Sequence, residues 1–583
     1  MRKREPYVGD RRRLVLAFDL GTTYSGISYS ILDPGNVPEI HGVNRYPAQE
    51  SVGGDCKIPS VIYYDENGKP RAFGAEALEP SVVEKATDNG WTKVEWFKLH
   101  LRPKSMRALN HFVLPSLPGN KSAQDVYADY YHYLFDCAHK YICDNHGELL
   151  WDVVKGHIHF VLSHPNGWSG PQQKIMRSAA IAGKLIPDNE EGRSRLKFVT
   201  EGEASLNHCI NQGLFTSRLQ NALVVDAGGG TVDLSVYSVS LRSMKCEELV
   251  AAQCVFQGSI FVTRRAETFF KDEFSGSKFA DDVPQMAEAF DKTTKLGFRD
   301  ETVPSYVKFG RLSDHDRERN VRNGSLKIPG SRVVGFFKPS FDAIMDAIVA
   351  QLSEVKAKGR AMSAVYLVGG FAASDWLFRS LKEDLGGLGI SLCRPENHMN
   401  KAVANGGISF HLDRFVTSRV ARFTYGIGCN TLYNPEDPEH RGRHSYVSFD
   451  GEKYVSDVFS AILRQGTVVQ GNTKFASEYR KGDSERNASS LNKISSTIFE
   501  VYHDSHDPPK WIDSSLDAFK FACVVKSDTR GAPKTWKTGP LGRYCEIRLK
   551  VILILGLTEL KAQICWTENG REVRGPAEVV YED

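Results

Sequence analysis

The first apolar segment of the chain, Leu14–Phe18, ends abruptly at a charged residue. This short run of apolar side chains predicts a buried strand. Asp19 then places a carboxylate at the end of the strand, and Gly21 allows the backbone to turn sharply. Apolar and polar residues alternate after the turn, at Ile27, Tyr29 and Ile31. The pattern predicts a β-hairpin with an acid and the hydroxyls of Thr22 and Thr23 at its tip. Such a tip either serves a metal-bound phosphate or is an ordinary structural hairpin.

Helical and strand patterns follow one another up to about residue 418. Residues 122–143 repeat apolar side chains with helical spacing behind Ser122, a potential N-cap, and residues 340–355 repeat them in the same way. Both apolar faces are interpreted as core stripes rather than cofactor contacts. Strand patterns stand at 157–163, 221–227 and 364–370. This part of the chain is therefore predicted to be an α/β structure.

The pattern changes after about residue 420, where long helical repeats become rare. Runs of β-branched and aromatic residues, several of them alternating, are separated by turn residues. They predict an antiparallel β domain over 420–583, which is within the usual size of a domain. The polar stretch 471–495 interrupts these runs and is predicted to be a mobile loop.

A second strand–turn–strand pattern repeats the first one about 200 residues later, in NALVVDAGGGTVDLSVYS (221–238). Asp226 corresponds to Asp19, Gly228 corresponds to Gly21, and Thr231 falls in the same turn. Consecutive glycines let backbone amides approach and surround phosphate oxygens. Two such hairpins in an α/β region indicate a duplicated domain with a polyphosphate between its halves.

A third glycine turn supports this interpretation. Gly369 and Gly370 separate a strand pattern from a helical pattern, which is a common arrangement for contacting a nucleotide. The sequence contains no GxxxxGK[ST] motif, which excludes a P-loop, and no GxGxxG after a strand.

Composition and charge narrow the class of protein. The 583 residues are 41% hydrophobic and 25% charged, as in soluble globular proteins, and the net charge is only +3. That balance gives no support for a nucleic-acid or anionic-membrane partner. The eleven cysteines form no CxxC pair, which favours free thiols in a reducing compartment. We expect a location in the cytoplasm or, given the basic start MRKREPYVGDRRR, in the nucleus, and we expect no membrane span.

The motifs DLGTTYS (19–25), DAGGGTVD (226–233), LVGG (367–370) and VANGG (403–407) occur in the order found in one superfamily. In this order the chain resembles the actin, heat-shock protein 70 and sugar kinase superfamily. FDLGTTYS and VVDAGGGTVD are similar to the heat-shock protein 70 branch. The overall layout, with a β domain that lacks a helical lid, is most similar to the heat-shock 70-kDa protein 12-like subfamily.

The resemblance implies a domain plan. After a basic tail, 1–12, an actin-like ATPase fold of two lobes, duplicated ribonuclease H-like domains, would span 13–418. The core of the second lobe would lie at about 221–400. The β-rich region 420–583 would resemble a lidless substrate-binding domain. ATP or ADP and Mg²⁺ would bind between the lobes, and unfolded peptide or another protein would bind the β domain.

The resemblance also implies catalytic and metal-facing residues. Asp19 would lie near Mg²⁺ and contact it through water, because Mg²⁺ keeps several of its waters. Asp226 and Glu201 would orient the attacking water or hold waters of the metal. Thr231 belongs to the same catalytic group, and Asp233 would support the second hairpin.

The nucleotide-binding residues implied by the resemblance lie on the glycine turns and one helix. The first phosphate loop would be formed by Gly21, Thr22, Thr23 and Tyr24. The second phosphate loop would be formed by Gly228, Gly229, Gly230 and Thr231. Gly258 corresponds to a glycine beside the ribose and phosphates. Gly369 and Gly370 would lie against the adenosine, and Lys295 would contact the nucleoside.

The chain departs from the family pattern at one position that matters for hydrolysis. In the segment FGAEALEPS (73–81), the position of the family's catalytic lysine is taken by Leu78. Lys69, Arg71 and Lys85 are nearby cations, but their spacing does not match. Loss of a positive charge at the γ-phosphate slows phosphoryl transfer by orders of magnitude. The adenosine turn also has Ala373 in place of the family's arginine, and Asn400 replaces an aspartate.

Three functions stay open at this point. The first is an ATP-binding protein of the heat-shock protein 70 type with slow Mg²⁺-dependent ATP hydrolysis and a chaperone-like role. The second is a nucleotide-binding scaffold with negligible hydrolysis. The third is a sugar or metabolite kinase of the same superfamily. The histidines at 157, 159 and 164 lack partners with metal-ligand spacing and are interpreted as ordinary surface or core residues.

Overall fold

The computed structural model describes residues 4–49, 56–103, 113–215, 219–395, 399–471, 473–503, 507–555, 560–574 and 577–580. The chain divides into two compact units. The first comprises the chain up to Val416 except Ser169–Lys174, and the second comprises Ser169–Lys174 and the chain from Thr417. Within these described ranges, the structure contains no helix with the length and apolar character needed to cross a bilayer.

Strands are numbered in chain order. Up to Val416 they are β1 Arg13–Asp19, β2 Tyr24–Leu32, β3 His41–Gly42, β4 Ile58–Pro59, β5 Val61–Tyr64, β6 Pro70–Phe73, β7 Thr92–Glu95, β8 Ile158–His164, β9 Leu196–Thr200, β10 Leu219–Ala227, β11 Val232–Ser240, β12 Lys245–Glu248, β13 Gln253–Val255, β14 Ser305–Lys308, β15 Val321–Arg322, β16 Ser325–Ile328, β17 Ala364–Val368 and β18 Ser391–Cys393. The α-helices are Pro80–Asp88, Ala123–His146, Glu148–Val154, Gly170–Ala182, Glu190–Ser194, Glu201–Asn211, Ser259–Glu273, Val283–Ala289, Lys295–Gly297, Gly330–Ala357, Asp375–Gly387 and Ala402–Asp413.

Two sheets of the first unit have the same strand order. One runs β3-β2-β1-β8-β9 and the other runs β12-β11-β10-β17-β18. In the first, β1 pairs antiparallel with β2 and parallel with β8. In the second, β10 pairs antiparallel with β11 and parallel with β17. Both hairpins predicted from the sequence are confirmed, and each is the centre of its sheet.

The helices follow the predicted apolar faces. Ser122 caps helix Ala123–His146 by accepting a hydrogen bond from the Asp125 amide at 3.2 Å. Tyr127, Tyr131 and Leu134 of this helix are buried in the core beside the first sheet. Helix Gly330–Ala357 is longer than the predicted 340–355, and Pro339 lies inside it. It buries Ile344 and Ile348 against the second sheet.

From Val416 onward the structure is dominated by antiparallel strands. They are β19 Val416–Val420, β20 Thr424–Leu432, β21 Ser445–Val447, β22 Lys453–Leu463, β23 Val468–Gln470, β24 Lys474–Ser484, β25 Lys493–Val501, β26 Phe519–Asp528, β27 Lys534–Gly539, β28 Gly542–Leu555, β29 Leu560–Glu568, β30 Arg571–Arg574 and β31 Ala577–Val580, with one short α-helix, Pro438–Arg441. One sheet runs β21-β22-β20-β25-β26-β31, and the other runs β24-β28-β29-β30 with β27 on β28.

The prediction of a mobile loop over 471–495 is wrong. Residues Lys474–Ser484 form β24, which pairs with β28 along its whole length, from Lys474 opposite Ile554 to Ser484 opposite Tyr544. From Lys474 to Arg480 every second side chain faces water, and Lys481 and Gly482 are exposed as well, which gives the segment a polar composition. Phe475 and Tyr479 on the other face pack against the core of the second unit.

Candidate functional site

The turns of the two central hairpins face each other within the first unit. The first turn follows Asp19 at the end of β1, and the second follows Asp226 in β10. A methyl group on Gly229 would lie 2.6 Å from Thr23 Oγ1, and one on Gly230 would lie 2.5 Å from Thr22 Oγ1. The turns therefore approach too closely for any side chain at these two glycines.

Each turn is held from behind by a different part of the chain. In the first, Ser60 Oγ donates a hydrogen bond to the carbonyl of Gly21 at 2.8 Å. In the second, the amides of Gly258, Ser259 and Ile260 donate to the carbonyls of residues 230, 228 and 229 at 3.2, 3.1 and 3.0 Å. These amides begin helix Ser259–Glu273, so the helix start fixes the second turn.

A cavity of about 560 Å³ opens at the two turns. This volume is within the usual range of small-molecule sites. The residues predicted as site residues that line it are Asp19, Gly21, Thr22, Thr23, Tyr24, Glu201, Asp226, Gly228, Gly229, Gly230, Thr231, Lys295, Gly369 and Gly370. The structure thus brings together residues from segments that are far apart in sequence.

Gly258 lies behind the second turn and not among the residues that line the cavity. A methyl group on it would lie 2.4 Å from the carbonyl oxygen of Gly229. Gly258 therefore supports the second turn from behind and does not face the cavity. Asp233 is also behind the cavity, where its Oδ1 accepts a hydrogen bond from the Asn166 amide at 2.6 Å.

Three buried carboxylates line the cavity beside two lysines. Lys57 Nζ lies 2.6 Å from Asp19 Oδ2, an ion pair by distance although the angle is not that of a hydrogen bond. Lys98 Nζ donates to Glu201 Oε1 at 2.5 Å. Asp226 accepts a hydrogen bond from Ser205 Oγ at 2.6 Å. This set combines oxygen ligands for a hard cation with positive charge for an anion.

Burial and mutual repulsion shift the titration of the acids. Burial, and then the charge of Glu201, raise the pKa of Asp226 to about 7. The same two causes raise the pKa of Asp233 to about 8. Burial also raises the pKa of Glu201, against the opposing charge of Lys98. A divalent cation would stabilise the ionised forms, because it supplies the positive charge that these acids lack.

Lys98, like Lys57, is a cavity residue that sequence reasoning missed. It lies in the short 3₁₀ helix Phe97–Leu101, and its side chain is 4% exposed. Burial alone would lower the pKa of its ammonium group, but the carboxylates of Glu201 and Asp19 outweigh burial and raise it. The only sign of it in the sequence is that Lys98 stands between two apolar residues, Phe97 and Leu99.

The expectation that Leu78 takes the place of the pocket's lysine is corrected by this geometry. Leu78 ends the 3₁₀ helix Glu76–Leu78, is 38% exposed and does not line the cavity. Lys98 and Lys57 line it instead, and neither is one of the substitutes considered from spacing. The cavity therefore contains the positive charge that the sequence seemed to lack.

Apolar side chains also line the cavity. Leu296, Phe371 and Ala373 line it together with Lys295, whose Nζ donates to Thr263 Oγ1 at 3.1 Å and pairs with Asp291. Gly369 has a φ of +92°, and a methyl group on it would lie 2.4 Å from Asp226 Oδ1. The third glycine turn thus lies directly against the end of β10.

Comparison with known proteins gives one consistent group of relatives. The chain is 25% identical to Heat shock 70 kDa protein 12A of Mus musculus, over 94% of this chain and 89% of that protein. It is 24% identical to Heat shock 70 kDa protein 12A of Homo sapiens, over 77% of this chain and 76% of that protein. It is 23% identical to Heat shock 70 kDa protein 12B of Homo sapiens, over the same shares. No family model matches the chain. The predicted resemblance to this subfamily is confirmed.

Proposed function

We propose that this chain, a homologue of the heat shock 70 kDa protein 12 proteins, binds ATP with Mg²⁺ at its two glycine turns and hydrolyses it slowly. The observation that carries the proposal is the meeting of the two turns over one cavity that is also lined by Lys57, Lys98 and three buried carboxylates. Neither turn alone distinguishes a phosphate site from an ordinary hairpin.

The phosphates would bind at the turns. Backbone amides of Gly229 and Gly230 and the hydroxyls of Thr22 and Thr23 are donors of the type that phosphate oxygens accept. The close approach at Gly229 and Gly230 leaves room for backbone only. The ammonium groups of Lys57 and Lys98 would add positive charge around the phosphate chain.

Mg²⁺ would be held through water by Asp19 and Asp226. Both carboxylates line the cavity, and oxygen ligands with retained waters are what this ion prefers. When bound, the ion neutralises charge on the phosphate oxygens. The adenosine would lie against Gly369 and Gly370, with Lys295 nearby.

Hydrolysis would depend on positioning and charge rather than on covalent chemistry. Glu201 and Asp226 would accept hydrogen bonds from the attacking water. Thr231 lies in the turn that follows Asp226 and would belong to the same catalytic group. Lys98 would stabilise negative charge on the transferring phosphoryl group, the role that the sequence left without a residue. Its ion pair with Glu201 keeps the ammonium group at the cavity wall.

We also propose that the first unit is an actin-like nucleotide-binding domain of two lobes, over 13–418, with the second-lobe core at about 221–400. The identical strand order of its two sheets supports a duplication. The β-rich region 420–583 would act as a lidless substrate-binding domain for unfolded peptide or another protein, which gives the chain its chaperone-like role.

The test is ATP binding by titration calorimetry with Mg²⁺, alongside single-turnover hydrolysis, for wild type and Lys98→Met. We expect ATP to bind wild type and Lys98→Met to lose roughly 10²–10³-fold in hydrolysis rate, as when one stabilising donor is removed. Lys292→Met is the matched control, because Lys292 lines the cavity but is exposed and pairs with Glu288. Leu78→Lys should change nothing, because Leu78 lies outside the cavity.

Other outcomes identify the alternatives. Tight binding with no measurable turnover in wild type would indicate a nucleotide-held scaffold. Turnover that depends on an added sugar would indicate a kinase. Absence of binding would contradict the proposal and make the turns structural.

A further inference from the structure

A cluster of metal-ligating side chains lies outside the nucleotide cavity. His139 and Cys143 are four residues apart on helix Ala123–His146, so they lie on one face of it. Glu148 is the first residue of the next helix, Glu148–Val154. A ring nitrogen of His139, Cys143 Sγ and a carboxylate oxygen of Glu148 all lie within 4.8 Å of one another.

The turn between the two helices builds this cluster. Gly147 separates them with a φ of +84°, a left-handed conformation that favours glycine. The first helix ends there, and Glu148 at the start of the next helix lies beside Cys143 in the last turn of the first. Cys143 Sγ donates a hydrogen bond to Glu148 Oε2 at 3.3 Å. The proton of this bond lies between the two atoms that a metal ion would join.

The third side chain is held by stacking. The His139 ring lies on the Trp151 ring, with centroids 4.1 Å apart and planes at 22°. Trp151 is buried in the core of the first unit. The imidazole is therefore oriented by an anchored partner, as a metal-binding histidine needs to be.

The charges around the cluster favour a cation. The carboxylates of Asp144 and Asp152 act on the Cys143 thiol in addition to Glu148. Of these, Asp152 pairs with Lys155 at 2.8 Å, so part of the negative charge is neutralised. The remaining charge is negative, and it lies at the surface where an ion can enter.

We propose that His139, Cys143 and Glu148 bind one Zn²⁺, with water as the fourth ligand. Nitrogen, sulfur and oxygen donors together suit zinc, whereas Mg²⁺ and Ca²⁺ take oxygen ligands. On binding, the Cys143 S–H bond breaks, its proton leaves to solvent, and the thiolate sulfur donates to the metal. Ligand atoms on a tetrahedral zinc lie roughly 3.5 Å apart. Cys143 Sγ and Glu148 Oε2 are already 3.3 Å apart, and the cluster as a whole lies within 4.8 Å, so His139 needs to close by no more than about an ångström.

The ion would join the two helices across Gly147. This site is independent of the proposed nucleotide function, because none of its residues lines the cavity. Loss of Zn²⁺ binding and loss of ATP binding can therefore be observed separately.

The test uses the full chain, stripped with a chelator and free of nucleotide, and titrated with Zn²⁺ against a chromophoric competitor. We expect wild type to bind one Zn²⁺ tightly at this site, and we expect Cys143→Ser and His139→Ala to bind it more weakly. The affinity of that site should fall at least about tenfold in each variant, the loss seen even when a residue that only orients a ligand is removed. Cys393→Ser is the matched control, a part-buried thiol elsewhere in the first unit, and should bind as wild type does. Equal stoichiometry and affinity in all four proteins would overturn the proposal.

A second measurement needs no variant and so does not depend on folding of the mutants. Zn²⁺ should slow alkylation of Cys143 by iodoacetamide, followed by peptide mass spectrometry, and leave Cys393 unaffected. Alkylation of Cys143 at the same rate with and without Zn²⁺ would contradict the proposal. Co²⁺ in place of Zn²⁺ should give a thiolate charge-transfer band that is absent in Cys143→Ser.

Discussion

Asp19 in the first hairpin is the last residue of β1, Asp226 in the second is the last but one of β10, and both are almost fully buried. Asp19 has the ammonium group of Lys57 at 2.6 Å. Asp226 has the hydroxyl of Ser205, and among the described residues no lysine or arginine lies within ion-pair distance of it. The two hairpins have the same backbone arrangement, but the acid of the first is paired with a cation, whereas the acid of the second is buried without one in the described part of the chain. The two hairpins share the arrangement of strands and turn, whereas the partner of each acid comes from elsewhere in the chain.

The turns differ in the same way. The first turn is held by the Ser60 hydroxyl together with the Ser60 backbone amide, which donates to the Thr23 carbonyl at 2.8 Å, and backbone amides at the start of a helix hold the second. Side-chain support is open to change by a single substitution. Backbone support depends on the close approach of Gly258, where any side chain is too large.

We expect the largest change in folding stability at Asp226, the acid without a cation. Asp226 has a folded-state pKa of about 7, above its ordinary value of 3.8. Between these two values the folded protein holds a proton that the unfolded chain has lost, so stability falls as pH rises through this range. The contribution amounts to roughly 4 kcal/mol across the window. Asp226→Asn should remove it, and urea unfolding with chelator at pH 4.5 and 7.5 measures the difference.

The control for this pH dependence is Glu288→Gln at an exposed position, which should follow wild type. If Asp226→Asn loses stability with pH as steeply as wild type does, then the buried Asp226 does not carry the dependence, and the contrast between the hairpins fails.

The second largest change in stability is expected at Asp19, the acid that is paired with Lys57. Lys57→Met leaves the Asp19 carboxylate buried without its partner, which costs about 3 kcal/mol, the low end for breaking a buried pair because Lys57 is 16% exposed. It also removes positive charge from near Glu201 and Asp226, which acts in the same direction. Unfolding in urea at pH 7 measures the loss. Lys292→Met, which breaks an exposed pair, should change stability by less than about 1 kcal/mol; similar losses in the two variants would contradict the prediction.

The smallest change in stability is expected at Gly258, and it tests how the second turn is supported. Gly258→Ala places a methyl group 2.4 Å from the Gly229 carbonyl oxygen, so the turn or the helix start must shift. Overpacking of this kind costs about 2 kcal/mol. Gly386→Ala, in helix Asp375–Gly387, has open space around the new methyl group and should be neutral or slightly stabilising. Thermal unfolding of the two variants measures the difference, and a Gly258→Ala melting temperature at or above wild type would show that the turn does not need this glycine.

Local features of the fold were predictable because they depend on neighbours in sequence. The strands before Asp19 and Asp226, the glycine turns and the capped helix after Ser122 each follow from short-range patterns. The boundaries were less certain, as helix Gly330–Ala357 shows by continuing through Pro339 on its N-terminal side. Strand β24 was missed because half of its side chains face water, which gives the segment the polar composition of a loop.

The sequence by itself determined the repeated acid–glycine–threonine turns and therefore the identity of most residues that line the cavity. Only the tertiary structure decided which cations accompany them. Lys98 lies more than a hundred residues from Glu201 in sequence, and their pairing depends on a 3₁₀ helix being brought against the start of helix Glu201–Asn211. Spacing from a motif pointed to Leu78 instead, since insertions between elements change sequence distance without changing position in space. Charge neutralisation in a buried site is a property of packing, because it depends on which side chains lose water together.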